Sequence, residues 1–354
     1  MAAMTAPGTA ADLGVSPWQW LYAGAHRLRA AWYAGRALRL PRPVVSIGNL
    51  HWGGTGKTPL VAAVAGHLHQ RGRAVCILSR GYGRRGHRVA LVSRGDGPLL
   101  DPAAGGDEPV LLAGELPGVS VVVGADRHQA GVAALTRLRL NPDLFVLDDG
   151  FSHLALRRDL DLLVLPAADP LGGGRLWPGG RLREPLAAAA RAHAVLITGA
   201  GAAPAAVQAA LRPHGFTGPA FACPILTGRP LLHAADRAGG TVPLAAGSRV
   251  VLVSAIARPE RFAAAVRELD FAVMGEMRFP DHHPFPPASL QRIAARVESS
   301  GADAALTTAK DRVKLLGRLA VPLAELPIAA APEPAFWEWL DRAVDALPGE
   351  AGGR

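Results

Sequence analysis

An α/β fold, with a mostly parallel sheet flanked by helices, a second smaller α/β lobe and an N-terminal amphipathic helix, is predicted by three features of the sequence. Short apolar runs alternate with helical stretches along most of the chain, the pattern of a parallel sheet covered by helices. The run PVVSIGN leads through GGTGKT into a helix, the setting in which a glycine-rich turn binds phosphate, so the larger lobe is expected to be of the phosphate-loop (P-loop) NTPase type. After a Gly-, Pro- and Ala-rich segment the alternation begins again.

Composition sets the limits. The chain has 354 residues, room for two domains, and its 49% hydrophobic against 19% charged residues supply a sizeable core and argue against global disorder. An excess of 38 Lys plus Arg over 29 Asp plus Glu gives a formal charge of +9, which suits an anionic partner without choosing among nucleotide, acidic headgroups and nucleic acid. Much of this excess is Arg within Ala-, Gly- and Pro-rich sequence and is equally a matter of composition. Cys76 and Cys223 stand far apart and outside any C-x-x-C pair, so neither a disulfide framework nor a zinc site is expected and a reducing cytosol fits best. The first residues lack the charged and apolar regions of a secretory signal. The Ala-rich stretch from Leu186 to Leu211 carries Arg191, His193 and Pro204, too polar to span a bilayer, so a soluble or peripheral protein is expected.

Taken in order, residues 1–42 form an N-terminal unit whose helix, residues 17–40, is bounded by Pro17 and Pro41. On a 3.6-residue period Leu21, Leu28 and Trp32 make one stripe flanked by Trp20 and Ala25, with Gln19, His26, Arg29 and Arg36 away from it. Aromatic rings beside arginines suit a membrane-surface helix, and the plainer alternative is a helix docked on the core. Residues 43–216 form the phosphate-loop domain, with a helix over Lys57 to Gln70, a strand holding Cys76, a helix over Arg127 to Leu140, and apolar strands at residues 119–124, 143–149, 160–166 and 193–198. Residues 217–248 read as a linker, 249–330 as the smaller α/β lobe, and 331–354 as a terminal segment whose helix packs back on the body through Phe336, Trp337 and Leu340.

In the loop, Gly53, Gly54 and Gly56 permit the turns and close approach that backbone N–H groups need to surround phosphate, with Thr55 between them. Lys57 is placed to reach the β- and γ-phosphates and Thr58 to hold Mg²⁺ through its hydroxyl. Pro59 is harmless in the first helical turn. The usual pattern G-x-x-x-x-G-K-[ST] has glycine where this chain has His51, so the loop must begin differently. A guanine-reading N-K-x-D is missing, since TAKD at 308–311 does not fit it, and ATP is favoured over GTP.

Asp148 and Asp149 end an apolar strand, where open α/β sheets present functional groups, and one of them should support Mg²⁺; the alternative is a pair of exposed turn acids. GGDEP at 105–109 is an acidic turn in which Asp107 is a candidate general base, though the motif alone is equally a loop carboxylate. FPDHHPF at 279–285 sets two histidines side by side, poorly arranged for a shared metal but able to tune a carboxylate. WPGGRLREP at 177–185 supplies Arg181, Arg183 and Glu184 for phosphate or metal contacts, or for a solvated loop.

In sequence order, GNLHWGGTGKTP, SRGYGR, GDEP, ADR, DDGFSH, WPGGRLREP, PDHH and TTAKDRVK together resemble the tetraacyldisaccharide 4'-kinases of lipid A biosynthesis, from the N-terminal helix to about residue 315. That family also lacks the first loop glycine. The resemblance implies transfer of the γ-phosphate of ATP, with Mg²⁺, to the 4'-hydroxyl of a tetraacylated glucosamine disaccharide 1-phosphate. The implied enzyme is peripheral, at the cytoplasmic face of the inner membrane, and meets its acylated lipid substrate on an anionic surface. No nucleic acid and no obligate protein partner are expected. It further implies Lys57 on the transferring phosphate, Thr58 with Asp148, Asp149 and Glu184 around the metal, Asp107 as general base paired with His282, and Arg127 and Arg183 offsetting phosphate charge. Closure of the second lobe is implied to bring His282 to the site. Ser152, Ala257 and Ala309 depart from the family pattern, which has Gln, Gly and Glu there. The competing readings are a phosphate-loop ATPase or GTPase acting as a switch or chaperone, and a membrane-binding module with a degenerate nucleotide site.

Overall fold

The computed structural model describes residues 17–233 and 240–348. Residues 1–16, 234–239 and 349–354 lie outside the described residues, as do the side chains of residues 17–20. The reading of the chain's start, part of the expected linker, the last residues of the terminal segment and Trp20 of the expected stripe fall there.

Eight strands make the first sheet: β1 (Val44–Asn49), β2 (Val75–Ser79), β3 (Ala90–Ser93), β4 (Ser120–Val123), β5 (Leu144–Asp148), β6 (Leu160–Pro166), β7 (Ala194–Thr198) and β8 (Ala220–Cys223). Their order is β3-β4-β2-β5-β1-β6-β7-β8, and every pair is parallel except β3 with β4. The central strands are buried along their whole length because both faces are covered, and for that reason they read as continuous apolar runs. Along β5, Leu144 and Val146 enter one core cluster while Phe145 and Leu147 enter another on the opposite face. Helices α1 (Pro17–Tyr33), α2 (Lys57–Gln70), α3 (Pro102–Gly105), α4 (Asp107–Glu115), α5 (Arg127–Leu135) and α6 (Pro204–Leu211) accompany this sheet. At Gly48 in β1 an added Cβ would lie 2.6 Å from Cβ of Phe151, so the turn after β5 packs directly on the strand that leads into the phosphate loop.

The chain leaves the first sheet through β9 (Ile225–Thr227). The second sheet holds β10 (Leu231–His233), β11 (Thr241–Pro243), β12 (Arg249–Ser254), β13 (Ala272–Arg278), β14 (Ala304–Thr308) and β15 (Leu323–Leu326), in the order β11-β10-β15-β14-β12-β13. Helices α7 (Pro259–Arg267), α8 (Pro287–Ser300) and α9 (Ala309–Leu315) belong to it. The chain returns through β16 (Ile328–Ala330), antiparallel to β9, and ends in α10 (Pro334–Asp345). On α10, Phe336, Leu340 and Val344 join the core cluster that contains Leu60, Val64 and Leu68 of α2.

Several boundaries differ from the sequence reading; the helix expected over Arg127 to Leu140 ends at Leu135, and Arg139 beyond it takes a left-handed φ of 52°. The segment 217–248 is not a plain linker: β8 completes the first sheet, and β10 and β11 start the second. These strands are three or four residues long and pair through backbone groups, so they leave little side-chain periodicity to read. The N-terminal helix stops at Tyr33 and not at 40, because Gly35 adopts a left-handed φ of 81° and Leu38 bridges to Leu156 in extended form. The expected acidic turn at 105–109 is the start of α4, with Asp107 its first residue.

The apolar stripe of α1 does not face the core. Leu21, Leu28 and Trp32 are 64%, 74% and 62% exposed. The opposite side holds the helix down: Ala23 packs on a core cluster, the Tyr22 hydroxyl donates to the carbonyl of Arg183 at 3.2 Å, and Arg29 donates to the carbonyl of Ser152.

Truncating the buried Leu340 to alanine should cost about 2–5 kcal/mol of stability. Urea unfolding should show a lower midpoint with an unchanged slope; an unchanged midpoint would mean that α10 is not part of the main core.

Candidate active site

The phosphate loop runs from the end of β1 to the first residue of α2, and its shape is fixed from three sides. Asn49 donates from Nδ2 to the Thr55 hydroxyl at 2.7 Å, and the Thr198 hydroxyl donates to the Thr55 carbonyl at 2.7 Å. Gly53 and Gly56 take left-handed φ values of 93° and 81°, which a side chain would strain, while Gly54 opens on free space. A Cβ on Gly56 would stand 3.2 Å from Cδ1 of Ile225, so the strand that crosses between the sheets leaves little room for a side chain there.

His51 is buried, and its role differs from that of the glycine it replaces. Its backbone bridges to Leu182, the Trp52 amide donates to the carbonyl of Arg181 at 2.9 Å, and the Arg183 amide donates to the carbonyl of Leu50 at 2.7 Å. The ring bonds through Nε2 to the Asp169 carbonyl at 3.0 Å; a carbonyl only accepts, so Nε2 carries the proton. Burial, first, holds its pKa below the ordinary histidine value and keeps the ring neutral. The start of the loop is thereby joined to the WPGGRLREP segment, which brings Arg183 to the site.

Asp149 is the point where these parts meet. It follows β5 with a left-handed φ of 51°, takes a two-pronged contact from the Arg183 guanidinium, and lies 3.8 Å from Lys57 Nζ. Arg183 also donates to the Asn49 carbonyl at 3.1 and 3.0 Å. Burial would raise the pKa of Asp149, but Lys57, Arg183 and Arg127 outweigh it and hold the carboxyl well below the usual range. Asp148 behaves oppositely: burial, then Glu108, push it up to about 7 against the opposing Ser79 hydroxyl bond, with Asp149 adding to the rise. Ser79 donates to its Oδ2 at 2.8 Å, while its buried Oδ1 has no hydrogen-bond partner among the described residues. A bare buried carboxylate oxygen beside a phosphate loop is what a cation would relieve, and Thr58 lies half-buried in the first turn of α2. These residues fit Mg²⁺, which takes one or two carboxylates and leaves its other positions to phosphate and water. Among the described residues no group of three His, Cys, Asp or Glu forms a cage.

Glu184 stands apart from that set. Its two oxygens accept from the Ser152 hydroxyl and from Arg191, the latter at 2.8 Å. Arg127, 4% exposed, opens α5 and bonds the carbonyls of Gly124 and Ala125 at 3.3 and 2.9 Å, and its Nε has no hydrogen-bond partner among the described residues.

Asp107 and His282 come from different bodies and meet at 3.3 Å, Oδ2 to Nδ1. His282 has a left-handed φ of 61° and lies over Tyr82 of SRGYGR, ring centres 5.0 Å apart. Lys314 reaches the same Oδ2 at 3.1 Å. Burial raises the pKa of Asp107, but His282 and Lys314 together bring it below the ordinary carboxylate value. His283 turns the other way, bonding Ser289 at 3.0 Å and stacking on Phe279, so the adjacent histidines share no ligand.

Sequence reading missed Asn49, Thr198, Arg191 and Lys314. The first three act on backbone or on other side chains and belong to no spacing pattern. Lys314 lay within a quoted motif, TTAKDRVK, with only its spacing of three from Asp311 on a short helix as a sign.

A strand, glycine loop and helix carrying Lys57 and Thr58, paired acids at the end of a neighbouring strand, and a carboxylate-histidine pair joining the two bodies define a phosphate-loop phosphotransferase. Comparison with known proteins narrows this. The family model for tetraacyldisaccharide-1-P 4'-kinase matches residues 12–345. The tetraacyldisaccharide 4'-kinase of Geobacter metallireducens is 43% identical over 307 residues, 85% of this chain and 88% of that protein. That of Chromobacterium violaceum is 40% identical over 312 residues, 85% and 84% of the two chains. A crystal structure of LpxK from Aquifex aeolicus in complex with ATP superposes with a TM-score of 0.71 at 30% identity, covering 93% of this chain and 98% of that one. The chain belongs to the tetraacyldisaccharide-1-P 4'-kinase family.

Replacing His51 by glycine restores the common loop pattern but deletes the bond to Asp169 and leaves a void, at a cost of about 1–3 kcal/mol. The melting temperature should fall and ATP should bind no more tightly; tighter binding would show His51 to be a defect. Because the folded pKa is depressed, the stabilisation from neutral His51 is present above about pH 6.5 and is lost as pH falls through the folded value. The difference in melting temperature between wild type and His51→Gln should therefore shrink at low pH.

Proposed function

We propose that the chain transfers the γ-phosphate of ATP to the 4'-hydroxyl of a tetraacylated glucosamine disaccharide 1-phosphate in lipid A biosynthesis, as a peripheral enzyme at the cytoplasmic face of the inner membrane. The observation that carries this reading is the approach of Asp107 and His282 from two bodies beside a complete phosphate loop. A switch ATPase has no need of a paired carboxylate and imidazole at the acceptor side.

In this reading the backbone N–H groups of Gly53 to Gly56 cradle the nucleotide phosphates, and Lys57 turns from Asp149 to the transferring group. Thr58 and Asp148 would hold Mg²⁺ with Asp149 beside them, where it would supply positive charge against the nucleotide phosphates. Asp107 accepts the proton of the 4'-hydroxyl as that oxygen bonds to the γ-phosphorus. The bond from phosphorus to the bridging oxygen breaks, and its electron pair leaves with ADP. His282 keeps Asp107 ionised and oriented. Arg127 and Arg183 offset charge on the transferring group. Glu184, already bonded twice, steadies the segment that carries Arg183. Closure of the second lobe on the first completes the site and keeps water from the phosphoryl group.

No helix among the described residues is long and apolar enough to cross a membrane. The outward stripe of Leu21, Leu28 and Trp32, with Arg27 and Arg36 also exposed, supports surface attachment through α1. A substrate with four acyl chains stays in the bilayer, since each buried CH₂ is worth roughly 0.8 kcal/mol.

Lys57→Ala should abolish transfer to the lipid disaccharide. Asp107→Ala should still bind ATP and lose a factor on the order of 10²–10⁴ in turnover; normal turnover in this variant would remove Asp107 as the base. Substituting Leu21, Leu28 and Trp32 together by glutamate should reduce binding to anionic vesicles in a flotation assay and leave ATP affinity unchanged. Undiminished flotation would sink the role given to α1.

A further inference from the structure

Resting on the reading of Asp107 as general base, we propose that Lys314 is a positioning residue for phosphoryl transfer: it fixes the Asp107 carboxylate from across the junction of the two bodies, so that the base is set only when they meet.

Lys314 lies on α9, is 4% exposed, and sits between two carboxylates, 3.1 Å from Oδ2 of Asp107 and 2.8 Å from Oδ1 of Asp311. A buried ammonium has few reasons to exist without such partners. Asp311 is wholly buried, and its Oδ2 accepts from the Ala255 amide at 2.7 Å and lies 3.1 Å from the Thr308 hydroxyl. The Ala255 carbonyl in turn accepts the amide of His282 at 3.2 Å. One residue of the second body, Ala255, therefore anchors His282 directly and Lys314 through Asp311. Both of these closest contacts are made by Oδ2, and in this proposal Oδ1 is the atom that meets the acceptor hydroxyl.

The charge around this point gives the ammonium a purpose. Glu108, Asp281 and Asp311 face the cluster from α4, the His282 turn and α9, with Lys310 placed 3.6 Å from Glu108 and 3.3 Å from Asp281, and Tyr82 over His282. Lys310 Nζ also lies 3.1 Å from Nε2 of His282. Arrival of a polyanionic nucleotide adds negative charge and favours the neutral form of Asp107. Lys314 opposes this at the closest range and cannot be drawn off to the phosphates, because Asp311 and the ring of Phe285, 5.2 Å away, hold it from behind.

The test is the pH dependence of kcat/KM for Lys314→Met, for Lys314→Arg, and for Lys314→Met combined with Asp311→Asn, which removes the buried charge left by the single change. In the combined variant the melting temperature and ATP affinity should stay near wild type. Its kcat should fall on the order of 10²-fold and the acid limb of its profile should move to higher pH. Lys314→Arg should return the limb part of the way. A combined variant with the limb at its wild-type position would overturn the proposal, since a merely structural lysine leaves the profile in place. Asp107→Asn, measured alongside, separates the two claims: if it turns over normally the base assignment falls and this proposal with it, whereas an inactive Asp107→Asn with an unmoved limb removes Lys314 alone.

Discussion

The carboxylate of Asp149, shared by Lys57 and Arg183, is the contact on which the rest of the site depends. It joins three segments far apart in sequence: the phosphate loop, the end of β5, and the stretch that follows the His51 bridge. Without Asp149 two cations would face one another near the mouth of the loop, and without the cations a half-buried carboxylate would stand beside Asp148. The pairing lets Asp149 stay ionised while its neighbour is pushed toward neutrality, so adjacent acids acquire different properties from environment alone. Lys57 is the looser partner at 3.8 Å, and Arg183 the closer one, with one contact at 3.0 Å.

A second constraint is that the chain crosses between the sheets twice. It leaves along β9, returns along β16, and these two strands pair with each other before α10 locks into the core of the first body. The second body thus hangs on a narrow two-stranded ribbon. Ile225 of that ribbon lies 3.2 Å from where a Cβ on Gly56 would stand, so the ribbon passes beside the phosphate loop. Asp107, the proposed base, and its partner His282 come from opposite sides of this junction, so their pairing depends on the relative placement of two bodies.

Much of this was legible from residues. The parallel sheet followed from buried strands that carry their own apolar runs, and α2 and the loop followed from glycine spacing with Lys57 and Thr58. The paired acids were legible as the polar end of an apolar strand. What escaped was whatever is held by backbone pairing or by contacts distant in sequence. Strands β8, β10 and β11 have three or four residues each and no alternation to read. His51 breaks the usual loop pattern, and its ring bond to the Asp169 carbonyl and its bridge to Leu182, which no spacing foretells, give it a purpose. The stripe on α1 was visible, but its outward direction is set by Tyr22 and Arg29 on the other side of the helix. Glu184, grouped with the metal by family resemblance, instead has Ser152 and Arg191 on its oxygens, a pairing no spacing foretells.

The most direct measurement follows the label of ATP carrying a labelled γ-phosphate, with the protein, the tetraacylated disaccharide 1-phosphate in mixed micelles, and Mg²⁺ either present or chelated. The account predicts label in the lipid at its 4'-position, only with Mg²⁺, and little release of inorganic phosphate when lipid is left out. Release of labelled phosphate at an equal rate with and without lipid, and none in the lipid, would contradict it.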